Sequence, residues 1–256
     1  PMTETITTIE EWRRVARRLR REGRSLGFVP TMGALHRGHA ALLERSKAEN
    51  DVTVASVFVN PAQFDDAGDL DAYPRTLEED RALLANLRVD HLFAPDRGAI
   101  YPDDYRFRVT ERELSTVMEG AHRPGHFDGV LTVVLRLLGI IRPTRAYFGE
   151  KDYQQYLLVR DLAAAFFLET EIVPCPTVRE PDGLALSSRN VRLSAEARAL
   201  GGRFARRLAG PGPAAQVQRD LEAMGVDVQY VEERFGRRFA AVVIGGVRLI
   251  DNVAID

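Results

Sequence analysis

Short apolar segments alternate with helical patterns along the first 150 residues and just beyond them, and this alternation limits the fold more than any other feature of the chain. Strands are predicted at 25–30, 52–59, 91–94, 145–148 and 171–173, and helices at 38–50, 77–87, 127–141 and 152–167. Strands that alternate with helices pair in parallel through right-handed crossovers. The pattern therefore predicts an α/β fold with a Rossmann-like, doubly wound parallel sheet that is covered on both faces.

A different pattern begins after Asn190. Ser194 is a suitable N-cap for a helix that ends near Leu208, and the sequence Gly-Pro-Gly-Pro at 210–213 then interrupts the chain. A second helix is predicted at 214–224, followed by antiparallel strands at 226–232, 238–244 and 247–250. We therefore expect a larger α/β domain over 1–177 and a smaller α+β domain over 178–256.

Composition excludes several classes of protein. The 256 residues carry 35 basic and 37 acidic side chains, and a net charge of −2 gives no electrostatic basis for binding nucleic acid or a membrane surface. The longest apolar run, at 162–168, is far shorter than the roughly 20 residues of a transmembrane helix. The single cysteine, Cys175, is expected to be a small buried thiol, which is compatible with a reducing cytoplasm. The acidic pairs Asp65-Asp66 and Asp103-Asp104 are expected to be solvated turn residues.

The segment 30–39, with the sequence PTMGALHRGH, lies between the strand at 25–30 and the helix at 38–50. In a parallel α/β sheet, ligands bind at this edge, beside the carboxyl ends of the strands. Gly33 and Gly38 let the backbone approach a ligand, the helix N-terminus favours an anion, and the imidazoles of His36 and His39 add hydrogen-bond donors. The same residues are compatible with a glycine-rich turn that carries two incidental histidines, and a zinc site would lack an evident third ligand.

This segment resembles the HxGH signature of the nucleotidyl-transferase superfamily, whose members cleave ATP between the α- and β-phosphates. Further segments resemble the pantothenate synthetases in order and spacing: 58–64, 73–76, 124–130, 148–155 and 179–190. The resemblance covers about 25–193 and resumes at 248–252. The C-terminal part is shorter than the resemblance leads us to expect, chiefly around 209–212 and between 232 and 237, which implies a trimmed lid domain.

The resemblance implies an ATP-dependent condensation of pantoate with β-alanine through pantoyl adenylate, with release of AMP and pyrophosphate. It also implies a cytoplasmic homodimer that uses Mg²⁺ accompanying ATP and has no metal site of its own. His39 matches the proton donor, and His36 and Lys151 complete the implied catalytic set. The implied ATP-binding residues are Met32, Gly33, Ala34, Leu35, His36, Arg37, Gly38, His39, Gly149, Glu150, Lys151, Asp152, Val178, Leu186, Ser187, Ser188 and Arg189. Leu186 stands where the family usually has methionine.

Gln63 and Gln155 match glutamines that hold pantoate and β-alanine in the family. A neutral amide binds a carboxylate without quenching it as an arginine would. Lys151 and Gln155 are four residues apart, which predicts that they share one face of a helix. Taken alone, each glutamine is more typical of a solvated polar residue, and His39 is compatible with a helix cap.

The sequence is also compatible with two other functions. Another HxGH enzyme, such as a mononucleotide adenylyltransferase, would not need the two glutamines. A non-catalytic nucleotide-binding regulator would not need the intact set of His36, His39, Lys151 and Arg189.

Overall fold

The computed structural model describes residues 3–64 and 67–255. Within them, the larger sheet comprises β1 (Glu4–Ile6), β2 (Leu26–Thr31), β3 (Val52–Val57), β4 (His91–Phe93), β5 (Arg145–Gly149) and β6 (Glu171–Cys175). The strand order is β1-β4-β3-β2-β5-β6, and the pairs β1–β4, β4–β3, β3–β2 and β2–β5 are parallel. The predicted parallel α/β fold is therefore confirmed.

Helices connect these strands. They are α1 (Ile9–Arg21), α2 (Arg37–Glu49), α3 (Ala67–Asp71), α4 (Leu77–Asn86), α5 (Arg97–Ile100), α6 (Glu119–His122), α7 (His126–Ile141) and α8 (Tyr153–Ala165). The four helices predicted in this part of the chain correspond to α2, α4, α7 and α8, with ends that differ by one or two residues.

Alternate residues of the strands fill two apolar layers, as the period of two along a strand requires. Val29, Ala55 and Leu92 share one cluster with Leu43 of α2 and Leu84 of α4. On the other face, the Trp12 ring of α1 lies 5.8 Å from the ring of His91 and 6.2 Å from that of Phe93. The Trp12 indole also donates to the Ile141 carbonyl, at 3.3 Å, and so ties α1 to the end of α7.

Strand β1 and helix α1 were not predicted. Helix α1 is amphipathic: one face carries Ile9, Trp12, Val15, Ala16 and Leu19, of which Trp12 and Leu19 are buried, and charged side chains cover the rest. Its ends are also well formed. Thr8 caps the N-terminus by accepting from the Glu11 N–H at 3.2 Å, and arginines occupy the last turn, where they oppose the helix dipole.

The expectation of solvated turn residues is wrong for Asp103. Its carboxylate accepts two hydrogen bonds from Arg136, at 2.6 and 3.0 Å, and one from the Phe107 N–H at 2.8 Å. Hydrogen bonding to Arg136 holds the pKa of Asp103 well below its usual range. Asp104 is exposed and pairs with Arg97 at 2.7 Å. The pair at 65–66 lies outside the described residues.

The C-terminal part forms a separate α+β structure. It comprises α9 (Ala195–Leu208), α10 (Ala214–Ala223) and an antiparallel sheet of β7 (Asp227–Arg234), β8 (Arg237–Ile244) and β9 (Val247–Ala254). Ser194 caps α9, as predicted, by accepting from the Ala197 N–H at 3.2 Å. The buried Arg238 donates to the carbonyls of Leu208, Gly210 and Gly212, and so it fixes the interruption after α9.

The chain divides into two compact units. The first unit contains the described residues up to Phe148 together with Gln154–Cys175, and the second contains Gly149–Tyr153 and the described residues from Pro176 onward. The predicted boundary at 177/178 lies two residues from the observed division between Cys175 and Pro176. That Gly149–Tyr153 belongs to the second unit was not predicted. Within residues 3–64 and 67–255, no helix is both long and apolar enough to span a membrane.

Candidate active site

The segment that follows β2 is tied to the ends of two strands. The Thr31 hydroxyl donates to the Ser56 carbonyl at 2.7 Å and accepts from the Gly33 N–H at 3.1 Å. Gly33 has a φ of +84°, which favours glycine, and a Cβ there would lie 2.9 Å from a carboxylate oxygen of Asp80. The predicted turn between strand and helix is thus present, with α2 beginning at Arg37.

Asp80 is a residue of this site that sequence reasoning missed. Its buried carboxylate accepts from the Ala34 N–H at 3.0 Å and from the Leu35 N–H at 2.7 Å. Ala34 has a φ of +51°, an uncommon conformation for a residue with a side chain, and Asp80 holds it there. One signal was available: Asp80 interrupts the helical stripe formed by Leu77, Leu84 and Leu87.

The two histidines interlock at the start of α2. The His36 Nδ1 accepts from the Gly38 N–H at 3.1 Å, and the His39 Nδ1 accepts from the His36 N–H at 3.3 Å. The ring centroids lie 4.2 Å apart. An imidazole nitrogen that accepts a hydrogen bond carries no proton, so each ring carries its proton on Nε2. The N-terminus of α2 therefore carries two imidazole N–H groups, and its first turn contains no acidic residue. This arrangement suits a bound anion.

Gln63 lies in a 3₁₀ turn (Pro61–Gln63) that follows β3, and two kinds of contact hold it. Its main-chain carbonyl accepts from the His126 ring at 2.8 Å and from Arg123 at 3.2 Å. Its side-chain carbonyl accepts from the Nδ2 of the buried Asn60 at 2.9 Å. The Gln63 side chain therefore presents its N–H donors. Sequence reasoning identified Gln63 but not the role of Asn60.

Gln155 lies in α8, within the first unit, and is half-buried. The neighbouring Gln154 has a structural role: its amide accepts from the Glu119 N–H at 3.1 Å and donates to the carbonyls of Leu114 and Val117, at 2.8 and 2.9 Å. Sequence reasoning distinguished these two glutamines only through the resemblance. Gln154 is buried and its amide makes three hydrogen bonds, whereas Gln155 is half-buried.

Lys151 does not lie in α8 with Gln155, so the expectation that one α-helix carries both residues is wrong. Lys151 lies in a 3₁₀ turn (Glu150–Asp152) that precedes α8, and it belongs to the second unit. The Asn252 Nδ2 of β9 donates to the Glu150 and Lys151 carbonyls, at 2.8 and 2.9 Å. The Lys151 ammonium lies 3.8 Å from the Asp152 carboxylate. Gly149, just before the turn, has open space where a Cβ would lie.

The remaining ATP-binding candidates lie together in the second unit. The Leu186 N–H donates to the Val178 carbonyl at 3.0 Å, which closes a hairpin. Ser187 then caps a 3₁₀ turn (Ser188–Arg192) by accepting from the Arg189 N–H at 3.2 Å. Arg179 anchors the hairpin to β9 through two hydrogen bonds to the buried Asp251, at 2.7 and 2.9 Å, which raise the pKa of Arg179.

The structure thus gathers the candidates into two groups. The first unit holds the segment 32–39 with Gln63 and Gln155, and the second holds Gly149–Asp152, Val178 and 186–189. Over the described parts of both units, no group of three histidine, cysteine, aspartate or glutamate side chains could hold a metal ion.

Comparison with known proteins identifies the family. The family model described as pantoate-beta-alanine ligase matches residues 4–254. The chain is 48% identical to a pantothenate synthetase of Bdellovibrio bacteriovorus over 99% of this chain and 100% of that protein. It is 52% identical to one of Legionella pneumophila over 89% and 90% of the two chains.

Solved structures agree with the sequence relatives. A pantoate-beta-alanine ligase of Francisella tularensis, crystallised with beta-gamma ATP and β-alanine, superposes with a TM-score of 0.93 at 41% identity over 98% of this chain and 97% of that one. A pantothenate synthetase of Thermus thermophilus superposes with a TM-score of 0.89 at 44% identity, over 98% of this chain and 99% of that one. The chain spans nearly the full length of both, so the shortening inferred for its C-terminal part is not a difference from these relatives. This chain belongs to the pantoate-β-alanine ligase family, whose known reaction is the ATP-dependent condensation of pantoate with β-alanine.

Proposed function

We propose that this chain joins pantoate to β-alanine in two steps. The pantoate carboxylate attacks the α-phosphorus of ATP, which forms pantoyl adenylate as the bond to pyrophosphate breaks. The β-alanine amine then attacks the acyl carbon, loses a proton, and displaces AMP. The observation that carries this proposal is the pair of imidazole N–H donors at the N-terminus of α2, in a chain of this family.

The histidines act on charge that develops in the first step. Negative charge grows on the α-phosphoryl oxygens and on the departing pyrophosphate, so fixed donors lower the barrier by meeting that charge as it forms. We assign the Nε2–H of His39 as the proton donor and that of His36 as a phosphate contact beside it. The interlocked rings hold both donors without reorganisation.

The ATP-binding role of the second unit rests on its polar side chains and its hairpin. Lys151 supplies a mobile cation for phosphates, and Arg189 supplies a planar guanidinium beside the hydroxyls of Ser187 and Ser188. The Val178 backbone, fixed by its bond to Leu186, is the proposed adenine contact. A lid role for this unit remains a prediction.

Mg²⁺ enters this scheme only with ATP. The described residues form no cluster that would hold a metal of the protein's own. We propose that the ion arrives on the phosphates and keeps several waters. A cytoplasmic homodimer is proposed from the family resemblance.

The acid substrate is assigned to Gln63 and Gln155. Gln63 presents N–H donors, since Asn60 occupies its carbonyl end. Two neutral donors orient a carboxylate and its neighbouring hydroxyls while leaving the carboxylate nucleophilic. β-Alanine is proposed to bind beside the acyl group that these amides hold.

The test is pyrophosphate release from ATP. We expect release that requires pantoate, and AMP formation that rises when β-alanine is added. In His39→Ala, single-turnover adenylate formation should fall roughly 10²-fold or more, the scale for losing one oriented donor. His122→Ala, which changes an exposed histidine of α6, is the matched control and should retain the wild-type rate.

Three outcomes oppose the proposal. Release that requires a mononucleotide in place of pantoate would indicate an adenylyltransferase. Binding of ATP without any release would indicate a regulator. A wild-type adenylation rate in His39→Ala would remove the assigned proton donor.

A further inference from the structure

We propose that Tyr101 is a positioning residue for the acid substrate: its hydroxyl fixes the Asn60 amide, which in turn decides which end of the Gln63 amide faces pantoate. This inference rests on the proposed binding of pantoate by Gln63. Tyr101 lies directly after α5, 41 residues from Asn60 in sequence, and no motif pointed to it.

The orientation of the Asn60 amide is determined by main-chain groups. The Asn60 Oδ1 accepts from the Ala62 N–H at 3.3 Å, and the Asn60 Nδ2 donates to the Gly129 carbonyl at 3.1 Å. A main-chain N–H only donates and a carbonyl only accepts. If the amide were reversed, its NH₂ group would face the Ala62 N–H and its oxygen would face the Gly129 carbonyl, and neither pair could form a hydrogen bond. The Asn60 Nδ2 thus faces the Gln63 side chain, to which it donates at 2.9 Å.

Tyr101 supplies the shortest of the hydrogen bonds that the Asn60 amide makes. Its hydroxyl lies 2.6 Å from the Asn60 Oδ1 and must be the donor, because that oxygen only accepts. The tyrosine is buried, and burial raises its pKa well above the usual value, so the hydroxyl keeps its proton. The ring is fixed by Arg136, whose guanidinium carbon lies 4.8 Å from the ring centroid, and by the edge of Tyr105 at 5.4 Å.

The chemical consequence is a choice between donor and acceptor at the substrate. With the Asn60 Nδ2 on its carbonyl, Gln63 presents two N–H groups, which suit the carboxylate and hydroxyl oxygens of an acid. Without the Tyr101 hydroxyl, the Asn60 Oδ1 keeps only the 3.3 Å bond from Ala62. The Asn60 amide is then held only by the Ala62 N–H and the Gly129 carbonyl, so its contact with the Gln63 carbonyl is fixed less firmly.

The test uses Tyr101→Phe, which removes only the hydroxyl. We expect the KM for pantoate to rise up to about tenfold, the upper end of the scale for losing one hydrogen bond, while the KM for ATP stays within about twofold of wild type. Tyr105→Phe is the matched control. Its hydroxyl bonds to Thr132 and not to Asn60, so the KM for pantoate should not change. Melting temperatures of all variants check that the fold is retained.

A double-mutant cycle separates positioning from a general loss of structure. In a Gln63→Ala background, adding Tyr101→Phe should not change the KM for pantoate further, because Tyr101 acts only through that amide. A persistent effect of the same size in this background, an equal rise in the KM for ATP, or an unchanged KM for pantoate in Tyr101→Phe alone would each overturn the inference.

The same cycle distinguishes this inference from the proposed function. If Gln63→Ala raises the KM for pantoate and Tyr101→Phe does not, the inference fails and the proposed function stands. If Gln63→Ala itself leaves the KM for pantoate unchanged, the assignment of Gln63 fails and the inference falls with it.

Discussion

Replacing Gly129 with alanine should damage both the stability of the chain and its use of pantoate. Gly129 is buried in α7, where the helix packs directly on the turn that carries Gln63. A Cβ at this position would lie 2.7 Å from the Gln63 main-chain nitrogen and closer still to the Ala62 carbonyl group. These are main-chain atoms, which cannot rotate away as a flexible side chain would.

The magnitude follows from two opposing terms. Alanine is favoured over glycine inside a helix by about 1 kcal/mol, whereas overpacking a filled core costs typically about 1–3 kcal/mol and occasionally more. Because the clash involves two adjacent residues of main chain, we expect the cost to dominate and leave a net loss of about 2 kcal/mol. That loss corresponds to a fall of about 4–8 °C in melting temperature for a chain of this size.

The control is Gly139→Ala in the same helix. No atom lies within 4 Å of the position that a Cβ would take there, so only the helix preference of alanine remains. We expect a gain of about 0.5–1 kcal/mol. The free energy of unfolding of both variants in urea, and the KM for pantoate of Gly129→Ala, test this prediction. If both substitutions stabilise the chain equally, the packing of α7 on the 61–63 turn is not as tight as the structure indicates.

Two further predictions concern buried polar groups. Asp80→Asn places an NH₂ group opposite a backbone N–H of the loop before α2, so kcat for pyrophosphate release should fall about tenfold or more; an unchanged kcat in a folded variant would contradict a positioning role for Asp80. Burial lowers the pKa of His91 below its usual 6.5. Near and below that pH, the unfolded chain therefore binds more protons at this residue than the folded chain does. The stability that neutral His91 contributes is present above about pH 6.5 and is lost as pH falls. His91→Phe should therefore reduce the loss of melting temperature between pH 7.5 and 5, and an identical loss in the variant and wild type would contradict this linkage.

The parallel sheet could be predicted because its strands are short apolar runs whose residues are buried on both faces, as Val54 and Ala55 are. Helix α1 was predictable in principle as well, because Ile9, Trp12, Val15, Ala16 and Leu19 recur at helical spacing among the charged residues. Asp80 was visible in principle, as a carboxylate within a leucine stripe. A buried carboxylate in the first turn of a helix needs hydrogen-bond donors, and for Asp80 these are the main-chain N–H groups of Ala34 and Leu35. Nothing in the sequence identifies those two residues as the donors.

Contacts between distant parts of the sequence were beyond the reach of spacing arguments. The hydroxyl that fixes Asn60 comes from Tyr101, and the amide that holds the Lys151 carbonyl comes from Asn252, 101 residues away. Motif spacing reports which residues are close along a helix or strand. It carries no information on partners supplied by another element.

The placement of Lys151 shows why this matters for the chemistry. Its four-residue spacing from Gln155 suggested a single helix face, but Asn252 instead holds the Lys151 turn against β9, within the second unit. The adjacent Asp251 anchors, through Arg179, the hairpin that carries Val178. Asp251 and Asn252 of β9 thus hold both the turn of Lys151, which we assign to the phosphates, and the hairpin of Val178, whose backbone we assign to adenine. Because both side chains are buried and adjacent in β9, a change in this strand should affect the proposed phosphate and adenine contacts of the second unit together.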